Sequence, residues 1–177
     1  MKYVTYILRM ILLFSSVFIS VHHADSIYAE TVKNSEKAPD FELDDMQGVK
    51  HRLSEYRGKV VLINFWASWC RECMGEMPSL NSLYEKFKNK DVVVLGVSTD
   101  SNYEDIKKSL GRTRVTYPVL IDRKGEVFEN KYAVMGLPTT VIVDKKGYIA
   151  GKILGSLDFS SAVFMNKIKM LSEEKSR

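Results

Sequence analysis

Apolar residues in this chain follow two rhythms, short dense runs and a three-four spacing, and the two alternate from residue 38 to residue 171. Val60-Val61-Leu62-Ile63-Asn64-Phe65-Trp66 is nearly unbroken and rich in β-branched side chains, the pattern of a strand buried on both faces of a central sheet. Asp91–Val97 repeats it, and Val119–Ile121 and Thr139–Val143 are shorter versions. Leu80, Leu83, Tyr84 and Phe87 recur three and four apart, which predicts a helix over Cys70–Lys88 with one apolar face and a kink at Pro78. A second helix is predicted over Asn102–Leu110, and a last amphipathic one, capped by Asp158, through Leu171. Ala38–Leu43 alternates as a strand does, with Val49–Leu53 as its hairpin partner across Met46-Gln47-Gly48. A turn at Asp144-Lys145-Lys146-Gly147 leads into Tyr148–Leu154. Strands alternating with helices predict an α/β layer fold, a parallel pair followed by a terminal hairpin.

The first 29 residues break this pattern. Lys2 and Arg9 precede an uncharged apolar run, Met10–Val21, and Ile27-Tyr28-Ala29 offers a small residue for cleavage, as in a secretory signal peptide. The alternative is an uncleaved membrane anchor, for which the run is short against the roughly 20 residues of a spanning helix unless Tyr3–Leu8 extends it. Either reading exports the domain, to the periplasm or to the outer face of the cytoplasmic membrane. Residues 30–37 read as a flexible lead-in and 38–177 as one domain. Cleavage would remove His22 and His23 and leave His51 as the only histidine. The composition, 45% hydrophobic and 27% charged, fits a globular domain, and the net charge of +4 is not gathered into a basic run, so nucleic acid is not an expected partner.

Both cysteines lie in Trp66-Ala67-Ser68-Trp69-Cys70-Arg71-Glu72-Cys73, where the central strand hands over to the first helix. A helix N-terminus offers unpaired N–H groups and a partial positive charge, so a thiolate at Cys70 is stabilised and its pKa is expected to fall below the free value of about 8.5. Cys73, one turn on, is placed to attack a mixed disulfide formed on Cys70. A purely structural disulfide here would close a four-residue loop and gain only about 1.9 kcal/mol. Zinc needs four ligands, and no second cysteine pair exists, so neither metal nor cofactor is expected. Glu76, six beyond Cys70, is either a proton acceptor and donor for Cys73 or a solvated glutamate in a first helical turn. Pro138 opens a strand, where its missing N–H costs no ladder bond, and on pattern alone the Leu137–Pro138 bond reads as trans.

Together, Ala-Pro-Asp-Phe at 38–41, the strand ending Asn64-Phe65-Trp66-Ala67-Ser68-Trp69-Cys70, the Cys-x-x-Cys followed by Glu76 and Pro78, and Gly136-Leu137-Pro138-Thr139-Thr140 resemble the TlpA/ResA group of exported thiol–disulfide oxidoreductases, in order, over residues 36–173. The resemblance implies a thioredoxin-like fold: a central mixed β-sheet flanked by helices, an N-terminal β-hairpin, and an inserted helix and strand within Lys90–Arg123. It implies that Cys70 is an exposed nucleophile and Cys73 a buried resolving thiol, and that Glu76 works beside them. Leu137–Pro138 would be cis and, with Trp69, meet the bound substrate. The group reduces disulfides in extracytoplasmic proteins, apocytochrome c among them, and is re-reduced by a membrane thiol electron donor. The chain departs from several relatives in having Arg71-Glu72, without proline, between its cysteines.

Three rival readings remain. An oxidase or isomerase would run the same chemistry towards disulfide formation. A peroxidase of the peroxiredoxin class shares the Ala-Pro-Asp-Phe opening but places threonine or serine, and proline, where this chain has Ala67 and Ile63. A non-catalytic binding module, a chaperone or a haem or metal carrier, would use His51 with the cysteines.

Overall fold

The computed structural model describes residues 36–174. The expectations for residues 1–29, and for the lead-in up to residue 35, lie outside them. Seven strands and three α-helices follow in the order β1 (Glu42–Asp44), β2 (Lys50–Arg52), β3 (Val60–Trp66), α1 (Arg71–Phe87), β4 (Val92–Ser98), α2 (Tyr103–Thr113), β5 (Val119–Ile121), β6 (Thr139–Val143), β7 (Ile149–Leu154) and α3 (Ala162–Glu173). A short 3-10 turn, Leu53–Tyr56, precedes β3, and a π-helical segment, Glu126–Lys131, precedes β6.

β1 and β2 form the antiparallel N-terminal hairpin, and the other five strands form one mixed sheet in the order β5-β4-β3-β6-β7. β3, β4 and β5 run parallel, β6 and β7 antiparallel. This is the thioredoxin-like architecture, with α2 and β5 as the inserted helix and strand. Every residue of β3 is buried, as its unbroken apolar run predicts for the middle of a covered sheet. Its pleat sends alternate side chains to opposite faces. Val60, Leu62 and Trp66 pack with Met77, Leu80, Leu83 and Phe87 of α1 and with Phe164 and Ile168 of α3. Val61, Ile63 and Phe65 face Ala38, Phe41, Leu53, Val127 and Tyr132.

Two local expectations need correction, and two further features lie beyond what local pattern states. The first strand begins only at Glu42: Ala38 and Phe41 of the stretch before it are buried in the core, and that stretch keeps one bond to the hairpin partner, Leu53 N–H donating to Phe41 O (3.1 Å). Its ends are tied by Ile149 N–H donating to Glu36 O (2.8 Å), Ala38 N–H to Gly147 O (2.9 Å) and, beyond β1, Met46 N–H to Val119 O (3.0 Å). The last helix is capped by Ser161, whose hydroxyl accepts from Phe164 N–H (3.4 Å); Asp158 is occupied by Ser160. The π-helical segment answers to no three-four pattern. Asp122 nucleates it, accepting from Val127 N–H (3.0 Å) and Phe128 N–H (2.8 Å). Finally, the Leu137–Pro138 peptide is cis, as the family resemblance implies and against the reading from pattern alone.

Candidate active site

β3 ends at Trp66, and three residues later the chain turns into α1 with Cys70 as the N-cap. The turn is braced by Asp100, just beyond β4, which accepts from Ser68 N–H (2.8 Å), Ser68 Oγ (2.8 Å) and Ser98 Oγ (2.8 Å). Thr99 N–H closes the arrangement on Trp66 O (3.0 Å). Because β3 and β4 are parallel and in register, their ends lie together, which puts Asp100 beneath the loop that carries Trp69. Cys70 and Cys73 are joined as a disulfide. The Cys70 sulfur also takes the place of a capping oxygen, accepting from Cys73 N–H at 3.1 Å, so a charge on that sulfur meets a helix N-terminus directly.

Cys70 is less exposed than the family resemblance implies. It is only 5% accessible in the disulfide state and Cys73 is fully buried, so Cys70 is the outer sulfur of the pair without being an open one. Leu137, at the mouth of β6, packs against the cluster holding both cysteines. Pro138 follows it, buried, with its carbonyl accepting from Gly155 N–H (2.9 Å). Trp69 (75% exposed) and Met135 (96%) stand proud of this surface. They share with Gly136 and Leu137 a groove of about 420 Å³, whose far wall is Arg123, Lys124, Phe128 and Glu129 from the turn after β5 and the π-helical segment.

Glu76 lies one helical turn beyond Cys73 and is 2% exposed. It is therefore the buried carboxyl of the two alternatives, not a solvated one. Asn64 Nδ2 donates to its Oε1 (2.8 Å) and Leu157 N–H to its Oε2 (3.2 Å). Burial pushes the carboxyl up to about 7, with Asn64, the Leu157 N–H and Ser156 pulling the other way. No cation pairs with it among the described residues. On its outer side is a depression of about 510 Å³ lined by Gly75, Ser79, Ser82 and Ser156. The carboxyl thus belongs to the residue one helical turn beyond Cys73, lines a polar opening, and titrates well above the ordinary carboxylate range.

His51 takes no part here. On β2 it bonds Asp45 Oδ2 through Nε2 (3.0 Å) and the Tyr56 hydroxyl through Nδ1. Asn64, Asp100 and Thr140 were missed by sequence reasoning. Only Asn64 left a trace there, as the one polar residue in the Val60–Trp66 run.

A dithiol at the head of the helix that leaves the central strand, facing a proline-led strand of the same sheet, defines a thiol–disulfide oxidoreductase of the thioredoxin superfamily. The chain belongs to the AhpC/TSA family, which it matches over residues 35–152, and within it is ResA-like. It is 43% identical to a thiol-disulfide oxidoreductase ResA of Geobacillus kaustophilus over 120 residues, 68% of each chain. Among solved structures it is similar to a protein assigned as thiol:disulfide interchange protein DsbE from Chlorobium tepidum (TM-score 0.72, 31% identity, covering 78% of this chain and 97% of that one). It is also similar to a protein assigned as a disulfide isomerase from Bacteroides thetaiotaomicron (TM-score 0.73, 30% identity, 83% and 94%).

Proposed function

We propose that the enzyme is an exported protein-disulfide reductase, with Cys70 as nucleophile, Cys73 as resolving thiol and Glu76 as the group that takes and returns the Cys73 proton. The Cys70 thiolate attacks one sulfur of a substrate disulfide; the S–S bond breaks, the other substrate sulfur leaves as a thiolate and is protonated, and a mixed disulfide remains on Cys70. Cys73 gives its proton to Glu76 and attacks the Cys70 sulfur. The second substrate sulfur departs, and the Cys70–Cys73 bond forms. Two electrons pass from the protein dithiol to the substrate, and an external dithiol, a membrane electron donor on the family pattern, restores the pair. Trp69, Leu137 and Pro138 line the surface where the substrate chain lies. An extracytoplasmic setting, anchored or free, and substrates that include the haem-attachment cysteines of apocytochrome c are inherited from the resemblance.

The observation that carries this reading is the buried, unpaired Glu76 carboxyl one turn behind a disulfide at a helix N-cap. Non-catalytic binding needs no such group, and His51, which a haem or metal carrier would enlist, is engaged in the hairpin. The test has two parts. Cys73→Ser should accumulate mixed disulfides on Cys70, and capture of nothing from the exporting compartment would sink the exchange mechanism. The Cys70–Cys73 reduction potential, read through Trp69 fluorescence, should lie near or below about −250 mV. A value near about −120 mV would instead select the oxidase or isomerase reading.

A further inference from the structure

Asn64 is the polar residue inside an otherwise apolar, fully buried strand, and its placement is specific. β3 and β6 are antiparallel with Asn64 directly opposite Thr140, so the two side chains rise from the same face of the sheet, the face on which α1 lies. Both hydrogens of the Asn64 amide are used: Nδ2 donates to Glu76 Oε1 at 2.8 Å and to Thr140 Oγ1 at 2.9 Å. Thr140 is two residues beyond Pro138. One amide nitrogen therefore ties three elements: the central strand, the helix carrying the dithiol, and the strand led by the substrate-facing loop.

The amide oxygen, Oδ1, is buried without a partner. An unmade bond of this kind is costly inside a core, and its presence asks for a compensating gain. The gain is the fork. With the amide turned round, its oxygen would confront the carboxylate oxygen of Glu76, so the observed orientation is the one that suits an ionised Glu76 and an accepting Thr140.

We propose that Asn64 is the positioning residue of this enzyme, setting the proton affinity of Glu76 and holding the Leu137–Pro138 strand in step with it. The inference rests on the reading of Glu76 as the proton group for Cys73. The other groups facing Glu76 are few. Cys73 lies on its own helix, the Tyr117 phenol belongs to the segment before β5, and Ser156 and the Leu157 N–H come from the segment after β7. Burial first and the Glu76 charge second keep the Tyr117 proton on, so it does not compete near neutrality. With no cation paired to it among the described residues, Asn64 is the side chain of the sheet that favours the carboxylate there.

Asn64→Leu, close to isosteric, removes the donors to Glu76 and Thr140, and at Glu76 the loss weighs more on the charged form than on the neutral one. In the full oxidised chain, where the cysteines do not titrate, carbon-13 NMR of the labelled Glu76 carboxyl should show its midpoint rising by about one pH unit. In the reduced enzyme the resolving step should slow about fivefold at pH 7 and recover by about pH 9, because only the base fraction is lost. A slowing equal at all pH values, or a Glu76 midpoint unmoved in Asn64→Leu, would overturn the proposal, leaving only a packing role. Asn64→Asp serves if the leucine variant does not fold. Two carboxyls in contact cannot both ionise, so one midpoint should fall below and one rise above that of the parent; two independent midpoints near the ordinary range would refute the contact. Asn64→Leu added to Glu76→Gln should leave the pH profile unchanged. If Glu76→Gln alone leaves the parent profile intact, the proton role of Glu76 has failed, while the NMR midpoint still judges the hold of Asn64 on it.

Discussion

Two carboxylates in this domain expose little surface, one near the outside in the hairpin turn and one deep in the core on the dithiol helix, and they behave in opposite ways. Burial pushes both towards the neutral form. Asp45, in the hairpin turn, nonetheless stays below the usual carboxylate range, because a bond from His51, N–H groups from Val49 and Gln47, and the His51 charge outweigh it. Glu76 is carried up to about 7 because an amide, one N–H group and Ser156 do not suffice. The difference lies first in depth, since the core encloses Glu76 while Asp45 sits near the surface, and then in the number of donors. A carboxylate that fixes a turn is satisfied; one left short of donors in the core keeps a proton to exchange near neutrality, which is what the role proposed for Glu76 requires.

The contrast can be sharpened or broken experimentally. The largest effect should be on stability. Because the folded pKa of Glu76 lies above its unfolded value of 4.5, its neutral form is tolerated at low pH, and stability falls as pH rises from 4.5 through 7. Glu76→Gln should therefore stabilise the oxidised protein by up to about 3 kcal/mol at pH 8, with no gain at pH 4.5, in urea unfolding at the two pH values. The same variant should slow disulfide exchange roughly 100-fold at pH 7 in stopped-flow Trp69 fluorescence. Asp45→Ala should act in reverse, destabilising by about 2 kcal/mol at neutral pH while exchange stays within about twofold of the parent. Its cost should fade in acid, since a depressed pKa gives stability that is present above the unfolded value and lost as pH falls through the folded one. The smallest effect is expected for Tyr56→Phe, about 1 kcal/mol from one bond to His51, read as a shift in urea midpoint. A Glu76→Gln variant less stable than the parent at pH 8 would abolish the distinction.

What was legible beforehand follows the range of the interactions. β3, β5 and β6 coincide with their apolar runs because side-chain burial alone selects them. The dithiol and Glu76 are legible because they occupy a single helix, where spacing in sequence is spacing in space. Asn64 and Thr140 are 76 residues apart and meet only through strand register, which no local pattern states. Asp100 is likewise brought under Ser68 by the parallel pairing of β3 with β4. The misplaced cap is a narrower lesson: Asp158, Ser160 and Ser161 are all good caps, and the choice fell to Ser161 because the carboxylate of Asp158 folds onto Ser160.

The segment running from Glu36 to Met46 reaches both outer strands of the sheet, bonding Ile149 at the start of β7 and Val119 at the start of β5. Unpaired strand edges are templates on which other chains polymerise, and this segment blunts both at once. Trimming a few residues too many from the amino end would then cost more than a patch of core. It would bare the β7 margin and open a route to assembly through it, at a rate set by concentration.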